Sequence, residues 1–599
     1  MKSCFFGLAY EFDGGDDPGV AINEHGTVVE VHKNEAGISL YARSGTIDQA
    51  TVLWNDTGSN RDDYTNGETP ACALNNNNVI VEVHKRDVGD KLFSMYGKVS
   101  GTTIDWGESQ EYDGDGKVPS VALNDSGRCL SVFQKNDDEL RYRVGQIDTA
   151  DEEVDWEDPH DFAIGVRPRV AMNNANYAIA VWSTDDEVSA MKYRVGRVNS
   201  DDVSWSDEHD LYRFFGRTPA VALTNDNFVV VTYKPQSVNL AQLTGRLDTG
   251  SMTIVWDGDA QYYDDGQIPS VAAAGSMAIT IHKGEELERL WYSTSIITDR
   301  ANWMRDRLSR LGTRSLQQLI LPASHDSGMY TEGLSSVART QKLSILGQLE
   351  NGIRYFDLRP KYDAGDDRFD IHHGGIEGPT LAEVLADIAA FVASHRELVI
   401  IDFSHFEDFG SHAVSTVYGK FTTQISNAIG PYMFKTNSSG LRLAQLQLGQ
   451  YLGSGASSVL VCIDDDFAKE YPKQGFWLFR NSLAPNVADG ALRVFDQYAN
   501  DMTYDNMRDD QLRKYENYNG YATSTVPCDL FLLSWTCTSI VGTGVWLISK
   551  DPNRHLGRIV ADLDIPNRYG HIPNLLYVDY CEFARVTDVA LFANGTPYA

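Results

Sequence analysis

A repeat of about 50 residues runs through the first half of this 599-residue chain and limits what that half can fold into. Each repeat holds four short β-rich segments separated by Asn, Asp and Gly turns. Units of this kind form the blades of a propeller, because one small sheet cannot bury both of its faces alone. The repeated pattern is G-x-x-P-x-V-A-x-N, and its proline occurs six times, 49 to 52 residues apart, at Pro18, Pro70, Pro119, Pro168, Pro219 and Pro269.

The phase of the repeat predicts how the ring closes. The sixth unit, from Pro269 to about Ile297, contains three segments and lacks the fourth. The segment around Phe5 precedes the first repeat proline at the spacing of a fourth segment. We therefore predict an all-β, six-bladed propeller over residues 1–296, in which the N-terminal strand near Phe5 completes the last blade.

Two sets of side chains recur within the repeat. Five tryptophans end the fourth segments, and we expect them to pack between neighbouring sheets because large rings at one position per blade fill that space. Three histidines share another repeat position, and we expect them on the blade surface: His32, His84 and His282.

Charge is distributed unevenly along the chain. The whole chain has a net charge of −33, and residues 1–295 hold 24 Lys or Arg against 49 Asp or Glu, a net of −25. Nucleic acids and anionic lipid surfaces repel such a protein, so neither is a predicted partner of this half. Its ligand stays open between a glycan and a protein.

The lengths of the apolar runs and the spacing of the cysteines limit where in the cell this protein is expected to occur. The longest apolar runs are the length of a strand, so we expect no transmembrane segment. Seven scattered cysteines with no CxxC pair argue against a zinc site or a disulfide framework. A cytoplasmic protein, or a secreted protein whose signal peptide is already absent, fits this composition.

After Thr298 the pattern changes to alternating helices and strands. The segment TLAEVLADIAAFVASHRE has the periodicity of an amphipathic helix, and near-continuous apolar strands such as ELVIIDF stand between such helices. Seven or eight buried strands of this kind predict a closed parallel (β/α)8-like barrel, a TIM barrel. We assign it to residues 297–599, so the fold class is multidomain.

Polar side chains cluster where the apolar strands of this second half end. In parallel barrels the reaction site lies at the carboxyl ends of the strands. Two histidines near an arginine suit displacement at a phosphodiester, which needs a proton acceptor, a proton donor and a cation for the charge on phosphorus. The strand-end residues are His325, Arg359, Ser404, His405, Asp464, Trp535 and Asp579.

Four ordered motifs resemble the catalytic X-domain of phosphatidylinositol-specific phospholipase C. They are SHDSG, GIRYFDLRP, HHGG and ELVIIDFSHF, and the resemblance continues more weakly through SWTCT to NLLYVDYCE. It covers about the last 300 residues. It implies an enzyme that cleaves phosphatidylinositol or a glycosylated derivative at a membrane surface, releasing diacylglycerol and a cyclic inositol phosphate.

The resemblance also implies roles for single residues. His325, supported by Asp579, corresponds to the general base, and Arg359 to the cation that stabilises the phosphorane oxygens. His373, aided by Asp326, corresponds to the general acid. The family's second histidine directly precedes a glycine, which favours His373 over its neighbour His372. Substrate contacts are predicted at Ser404, His405, Asp464 and Trp535.

No metal and no cofactor are predicted. Calcium-dependent relatives carry an asparagine after the first histidine and acidic ligands in the next motif, whereas this chain has Asp326 and Arg359 there. A guanidinium at the phosphate supplies the electrostatic effect of a cation. The bacterial secreted enzymes offer a lysine where this chain has Ser404 and His405, so the headgroup stays open.

Two alternative functions remain at this stage. One is a propeller-based protein that binds a glycan or another protein and carries a weakly active or inactive barrel. The other is a phosphodiesterase that acts on another phospholipid or on a glycerophosphodiester.

Overall fold

The protein is described from a computed structural model, and its internal contacts divide it into two compact units. One unit runs from Cys4 to Ile297, and the other from Thr298 to Ala599 together with the first residues of the chain. The predicted boundary between residues 296 and 297 lies one residue from this division. The structure describes residues 2–7, 9–35, 37–48, 51–54, 62–101, 103–135, 138–187, 189–237, 239–285, 288–410, 414–436, 441–464, 474–480, 491–518, 529–538, 543–563 and 571–595.

The first unit is a propeller of six antiparallel blades, numbered here in chain order. The innermost strands of the six blades pack side by side in a closed ring. From the centre outwards, the described strands of blade 1 are Asp16–Ile22, Thr27–Lys33, Ser39–Asp48, Thr51–Trp54 and Asp62–Asn66, and those of blade 2 are Glu68–Leu74, Val79–Lys85, Leu92–Ser100, Thr103–Trp106 and Gln110–Asp113. Blade 3 contains Lys117–Leu123, Arg128–Gln134, Glu139–Asp148, Glu153–Trp156 and His160–Ile164, and blade 4 contains Val166–Met172, Tyr177–Ser183, Ser189–Val198, Val203–Trp205 and the start of His209–Leu223. Blade 5 contains the rest of His209–Leu223 with Phe228–Lys234, Asn239–Asp248, Thr253–Trp256 and Gln261–Asp265, and blade 6 contains Gln267–Ala274, Met277–Lys283, Arg289–Ile296 and Tyr10–Gly14.

The glycine of the repeat is required by close packing inside each blade. A Cβ atom on Gly15 would lie 2.4 Å from Cδ2 of His32, and one on Gly165 would lie 2.4 Å from Cδ1 of Trp182. Any larger residue would therefore collide with a ring on the second strand. The same contact joins Gly67 to His84, Gly116 to Phe133, Gly216 to Tyr233 and Gly266 to His282.

The placement of the three repeat histidines on the blade surface was wrong. His32, His84 and His282 are fully buried. The strand register puts them level with Phe133, Trp182 and Tyr233 of the other blades, where each ring covers a repeat glycine. A glutamate two residues earlier accepts a hydrogen bond from Nδ1 of His32 at 2.8 Å and of His84 at 2.9 Å.

The fourth-strand tryptophans contact rings of the preceding blade. Trp106 stacks on Tyr64 with ring centroids 4.9 Å apart, and Trp156 stacks on Tyr112 at 5.0 Å. Each tryptophan also covers a glycine of the third strand, as Trp106 does for Gly97. These rings therefore join neighbouring sheets, and offset aromatic pairs of this kind stabilise a fold beyond their buried area.

The N-terminal segment pairs with the last blade. Strand Tyr10–Gly14 runs antiparallel to Arg289–Ile296, so the pairing strand begins five residues after Phe5. The backbone N–H of Phe5 donates to Ser295 Oγ at 3.0 Å, and that of Phe6 donates to Gln242 Oε1 at 2.9 Å. Both rings are buried.

The second unit is built around a closed barrel of eight parallel strands. Alternate strand residues face the barrel interior or the surrounding helices, which produces an inner and an outer hydrophobic core. The strands are Leu321–Ser324, Tyr355–Leu358, Leu398–Phe403, Ser458–Ile463, Phe476–Arg480, Ala491–Phe495, Leu530–Trp535 and Leu575–Val578. The α-helices are Trp303–Asp306, Leu308–Leu311, Ile345–Glu350, Leu381–Ser394, Val414–Ile429, Leu448–Tyr451, Tyr504–Glu516, Val545–Asp562, Cys581–Ala584 and Val586–Ala593, with 3-10 turns at Arg300–Asn302, Leu316–Gln318 and Leu443–Gln445.

The helix Leu381–Ser394 shows how the sequence sets these elements. Thr380 accepts a hydrogen bond from the backbone N–H of Glu383, and the Glu383 carboxylate accepts one from the Thr380 N–H, which caps the first turn. Its buried face packs on the outer core. Across the described residues, none of the helices has the length and apolarity that crossing a membrane requires.

Two further strand groups lie outside the barrel. Lys2–Ser3 pairs with Thr298–Asp299. A three-stranded antiparallel sheet follows the second barrel strand and consists of Pro360–Asp363, Arg368–His373 and Ile376–Thr380.

We predict that a chain lacking residues 1–14 unfolds its propeller at a lower temperature than a chain lacking only residues 1–3. The longer deletion removes the outer strand of blade 6 and two buried phenylalanines, and the loss of one buried phenylalanine side chain typically costs about 3–5 kcal/mol. Calorimetry of both chains measures the difference. Equal melting temperatures would show that the ring does not need this strand.

Candidate active site

The candidate site lies at the carboxyl ends of the barrel strands, and strand alternation decides which side chains reach it. Ala323, Tyr355 and Tyr577 belong to the inner core. Residues two positions further along each chain segment fall on the same inner face. These are His325, Asp357 and Asp579.

His325 is held between two carboxylates. Its Nδ1 lies 2.7 Å from Asp579 Oδ1, and its Nε2 lies 3.3 Å from Asp326 Oδ2. Burial lowers the pKa of this imidazole, but Asp326 and Asp579 outweigh burial and raise it to about 9. The ring packs edge-on against Tyr577 with centroids 5.2 Å apart, and 22% of the side chain is exposed.

Asp326 is the common partner of three cationic or titratable groups. Its fully buried carboxylate lies 2.7 Å from Arg359 Nε and 2.6 Å from His373 Nδ1, besides its contact with His325. Burial favours the neutral carboxyl, but His325 and Arg359 outweigh it and hold the pKa of Asp326 well below its usual range. Its backbone N–H donates to Asp357 Oδ2 at 3.0 Å.

Arg359 is fixed by two carboxylates. Its Nη2 lies 3.0 Å from Asp357 Oδ2, its Nε contacts Asp326, and its Nη1 lies 3.5 Å from His373 Nδ1. Asp357 also accepts a hydrogen bond from the Tyr577 hydroxyl. With 17% of its side chain exposed, the guanidinium is oriented and still open to an anion.

The two histidines of HHGG point in different directions. His373 contacts Asp326 and leaves 35% of its side chain exposed, whereas the His372 side chain is 7% exposed. Nε2 of His372 donates to the backbone carbonyl of His405 at 3.0 Å, and its Nδ1 lies 3.0 Å from Glu407 Oε2. His372 therefore joins the sheet that carries His373 to the segment after the third barrel strand.

The predicted substrate contacts divide into two groups. Ser404 Oγ lies 3.4 Å from Asp357 Oδ1 and 2.9 Å from His405 Nδ1, so this pair borders the Arg359 site. Asp464 is exposed at the end of the next strand.

The placement of Trp535 corrects a sequence-based expectation. Its ring is 1% exposed, belongs to the outer core, and donates its indole N–H to the Pro552 carbonyl at 2.7 Å. The inner residues of this strand are those at even positions, such as Leu532, so Trp535 faces the helical layer. The structure does not bring Trp535 to the site.

Three further residues near the site were missed from the sequence. Tyr577 orients Asp357, and Asp402 is a buried inner residue whose Oδ2 accepts from the Tyr355 hydroxyl at 2.9 Å. Asp496 follows the sixth barrel strand, and burial together with Asp357 raises its pKa to about 6. Strand alternation in IIDFS and the strand end in RVFDQY were the signals that could have found both acids.

The site also contains one group of potential metal ligands. His325, Asp326 and Asp357 offer ligand atoms that lie within 4.8 Å of one another. Both carboxylates are in contact with Arg359, whose positive charge compensates theirs. The arrangement can hold an oxyanion at Arg359 with a proton carrier beside it at His373 and another at His325.

Comparisons with known proteins identify relatives of the barrel. No family model matches the chain. Over 133 residues the chain is 33% identical to mouse PI-PLC X domain-containing protein 2, a match that covers 18% of this chain and 39% of that protein. The chain thus spans less than two thirds of the length of such relatives.

The chain covers a larger share of a bacterial relative. The chain is 30% identical over 234 residues to the 1-phosphatidylinositol phosphodiesterase of Staphylococcus aureus strain Newman, which covers 35% of this chain and 69% of that protein. A solved structure of the S. aureus phosphatidylinositol-specific phospholipase C aligns with 49% of this chain and 97% of its own, at 17% identity and a TM-score of 0.37. Through its barrel, the chain belongs to the phosphatidylinositol-specific phospholipase C family.

Proposed function

We propose that this protein is a metal-independent phosphodiesterase that cleaves phosphatidylinositol, or a glycosylated derivative, to diacylglycerol and a cyclic inositol phosphate. The observation that carries the proposal is the contact of one buried carboxylate, Asp326, with Arg359, His373 and His325. An anionic phosphate at Arg359 would lie beside both imidazoles. The similarity to the S. aureus phosphodiesterase supports the choice of substrate class.

The first proton transfer is assigned to His325. Its neutral imidazole takes the proton of the inositol 2-hydroxyl, and that oxygen then attacks the adjacent phosphorus to close a cyclic phosphodiester. Asp579 stabilises the imidazolium that results, as a carboxylate on the second ring nitrogen does in other acid–base pairs. With a pKa of about 9, on the order of 1% of the free enzyme carries neutral His325 at pH 7.

Arg359 and His373 complete the reaction. The guanidinium compensates the charge that builds on the non-bridging oxygens, and it does so without reorganising because two carboxylates already fix it. His373, whose Nδ1 is held by Asp326, donates a proton to the diacylglycerol oxygen as the bond to phosphorus breaks. Ser404, His405 and Asp464 are assigned to the headgroup.

The propeller is assigned a binding or targeting role. Its net negative charge disfavours direct contact with anionic lipid. A glycan or protein at the membrane surface is therefore the proposed partner class, and the barrel is proposed to touch the lipid transiently.

We expect turnover of phosphatidylinositol to survive chelation. Arg359 already contacts the carboxylates that would otherwise bind a divalent ion. Phosphorus NMR of the water-soluble product, with and without EDTA, measures this. Activity that disappears in EDTA and returns with calcium would overturn metal independence.

His325→Ala and His373→Ala should each lower kcat by on the order of 10²-fold or more, since that is the usual contribution of a general acid or base. His372→Ala is the matched control and should cost much less, because His372 faces Glu407 rather than Arg359. Steady-state kinetics with circular dichroism as a folding check compares the three. A larger loss for His372→Ala would refute the assignment of the acid.

The pH profile of kcat/KM should rise with pH up to about 9. The folded-state pKa of His325 lies above its ordinary value, so its basic form is scarce at neutral pH and increases until pH passes that pKa. Asp579→Asn removes a carboxylate that raises this pKa and should move the acidic limb to lower pH while lowering the plateau. An unmoved limb would show that another group controls it.

A further inference from the structure

The inner strands of the propeller carry one arginine at an otherwise small-residue position, directly before the segments that line the central channel. The channel encloses a cavity of about 100 Å³ lined by the Val-Ala segments of all six inner strands. The residue after each repeat proline is small in five blades and is arginine in blade 4. In blade order these residues are Gly19, Ala71, Ser120, Arg169, Ala220 and Ser270.

Among the residues that the structure describes, no acidic group lies within ion-pair distance of Arg169. Its guanidinium makes one hydrogen bond, from Nη1 to the carbonyl of Pro168 at 3.0 Å. Burial lowers its pKa to about 10, which records the cost of keeping the charge away from water. A half-buried cation with unused N–H donors is a group that an anion would stabilise.

A carboxyl group faces this arginine from the opposite side of the ring. The inner strands pack in the order of the blades, so blade 1 with Asp17 lies across the channel from blade 4. Asp17 interacts electrostatically with Arg169 and Arg167, but no described cation lies within ion-pair distance of it. Arg167 is paired with Asp186 at 3.0 Å. Among the described residues, Asp17 and Arg169 thus interact electrostatically without forming an ion pair with each other or with a third side chain.

Two buried hydroxyl groups at the same level lack partners. Oγ1 of Thr69 and Oγ1 of Thr218 are buried and make no hydrogen bond to any residue that the structure describes. Each precedes a repeat proline in the left-handed region, with φ of 48° and 50°, on blades 2 and 5. The residue before the proline has this conformation in all six blades, so the fold itself holds both hydroxyls in place.

Ion pairs neutralise most of the basic side chains at this end of the propeller. At the first, second and fourth residues of each inner strand and the last residue of each second strand, basic side chains outnumber acidic ones. Three are acidic and eight are basic, although several lysines are ion-paired, as Lys33 is with Glu68. The acidic ones are Asp16, Asp17 and Glu68, and the basic ones are Lys33, Lys85, Lys117, Arg167, Arg169, Arg217, Lys234 and Lys283.

We propose that this end of the channel is a binding site for a small polar ligand that carries an oxyanion, either phosphate, sulfate or carboxylate. The anionic group binds the guanidinium of Arg169 and accepts from the Thr218 hydroxyl of the neighbouring blade 5, while the Thr69 hydroxyl of blade 2 contacts another polar group of the ligand. Hydroxyl or ammonium donors of the same ligand face Asp17. The site belongs to the propeller and does not depend on the reaction proposed for the barrel.

The test uses the full chain with Arg359→Gln, which removes the phosphate-binding arginine of the barrel. Calorimetric titrations with inorganic phosphate, sulfate and glucuronate, and with glucose as a neutral comparison, measure binding. At least one of the three anions should bind. Adding Arg169→Ala should weaken that binding by on the order of tenfold to a hundredfold, the usual effect of losing hydrogen bonds to a charged group.

Arg169→Ser controls for folding, and Arg246→Ala controls for the loss of one positive charge. Alanine and serine occur naturally at this position in other blades, so Arg169→Ala and Arg169→Ser are both compatible with the repeat. Arg246→Ala removes an exposed arginine of blade 5 and should leave binding unchanged. The proposal is overturned if none of the anions binds, or if both Arg169 variants keep the parent melting temperature and the parent affinity. Binding of glucuronate without phosphate would identify an acidic sugar as the ligand, whereas phosphate binding would identify a phosphate group.

Discussion

The candidate site depends on one buried carboxylate. Asp326 lies against Arg359, His373 and His325 at 2.6 to 3.3 Å, and it is removed from solvent. Burying a lone carboxylate is costly, and its partners offset that cost only while their geometry holds. Removing Asp326 would therefore release the arginine and both imidazoles together. Contacts of this kind couple residues so strongly that the effects of their substitution do not add.

The sequence predicted the architecture because its signals were repeated or periodic. Six copies of one motif specified the blades, and each repeat glycine now has a physical reason in the ring that covers it, such as His32 over Gly15. Apolar strands with polar ends specified the barrel. The surface placement of the three repeat histidines failed because polar residues of other blades, Gln134, Ser183 and Lys234, look like their equivalents in the sequence. The pairing of strands shows that the true equivalents lie one residue earlier.

The predicted motif residues lie close together in the structure, whereas the sequence reasoning went wrong where it ignored strand alternation. His325, Asp326, Arg359, His373 and Asp579 meet in one cluster, although their catalytic roles remain proposals. Trp535 was predicted to contact the substrate only because it ends a strand. Its side chain faces the helices, because the inward-facing residues of that strand are the even-numbered ones. Asp402, which is buried, and Asp496, which is half-buried, were missed because the strand alternation in IIDFS and the strand end in RVFDQY were not used. The local sequence pattern predicts where a strand ends. Whether a side chain faces the barrel interior or the helices depends on its odd or even position along the strand and on packing.

Backbone strain marks the turns that present the site. Asp326, His405 and Tyr580 have φ of 41°, 51° and 49°, in the left-handed region that side chains with a Cβ seldom adopt. Each residue follows a barrel strand by two positions. Such conformations cost about 1–3 kcal/mol each and persist only where surrounding contacts enforce them. The ion pairs of Asp326 hold its backbone in this conformation. The backbone N–H of Tyr580 donates to the Thr340 carbonyl at 2.7 Å, and the His405 carbonyl accepts a hydrogen bond from His372, so these contacts hold the other two turns. The bond from His372 therefore couples the sheet that carries His373 to the strained turn that carries His405.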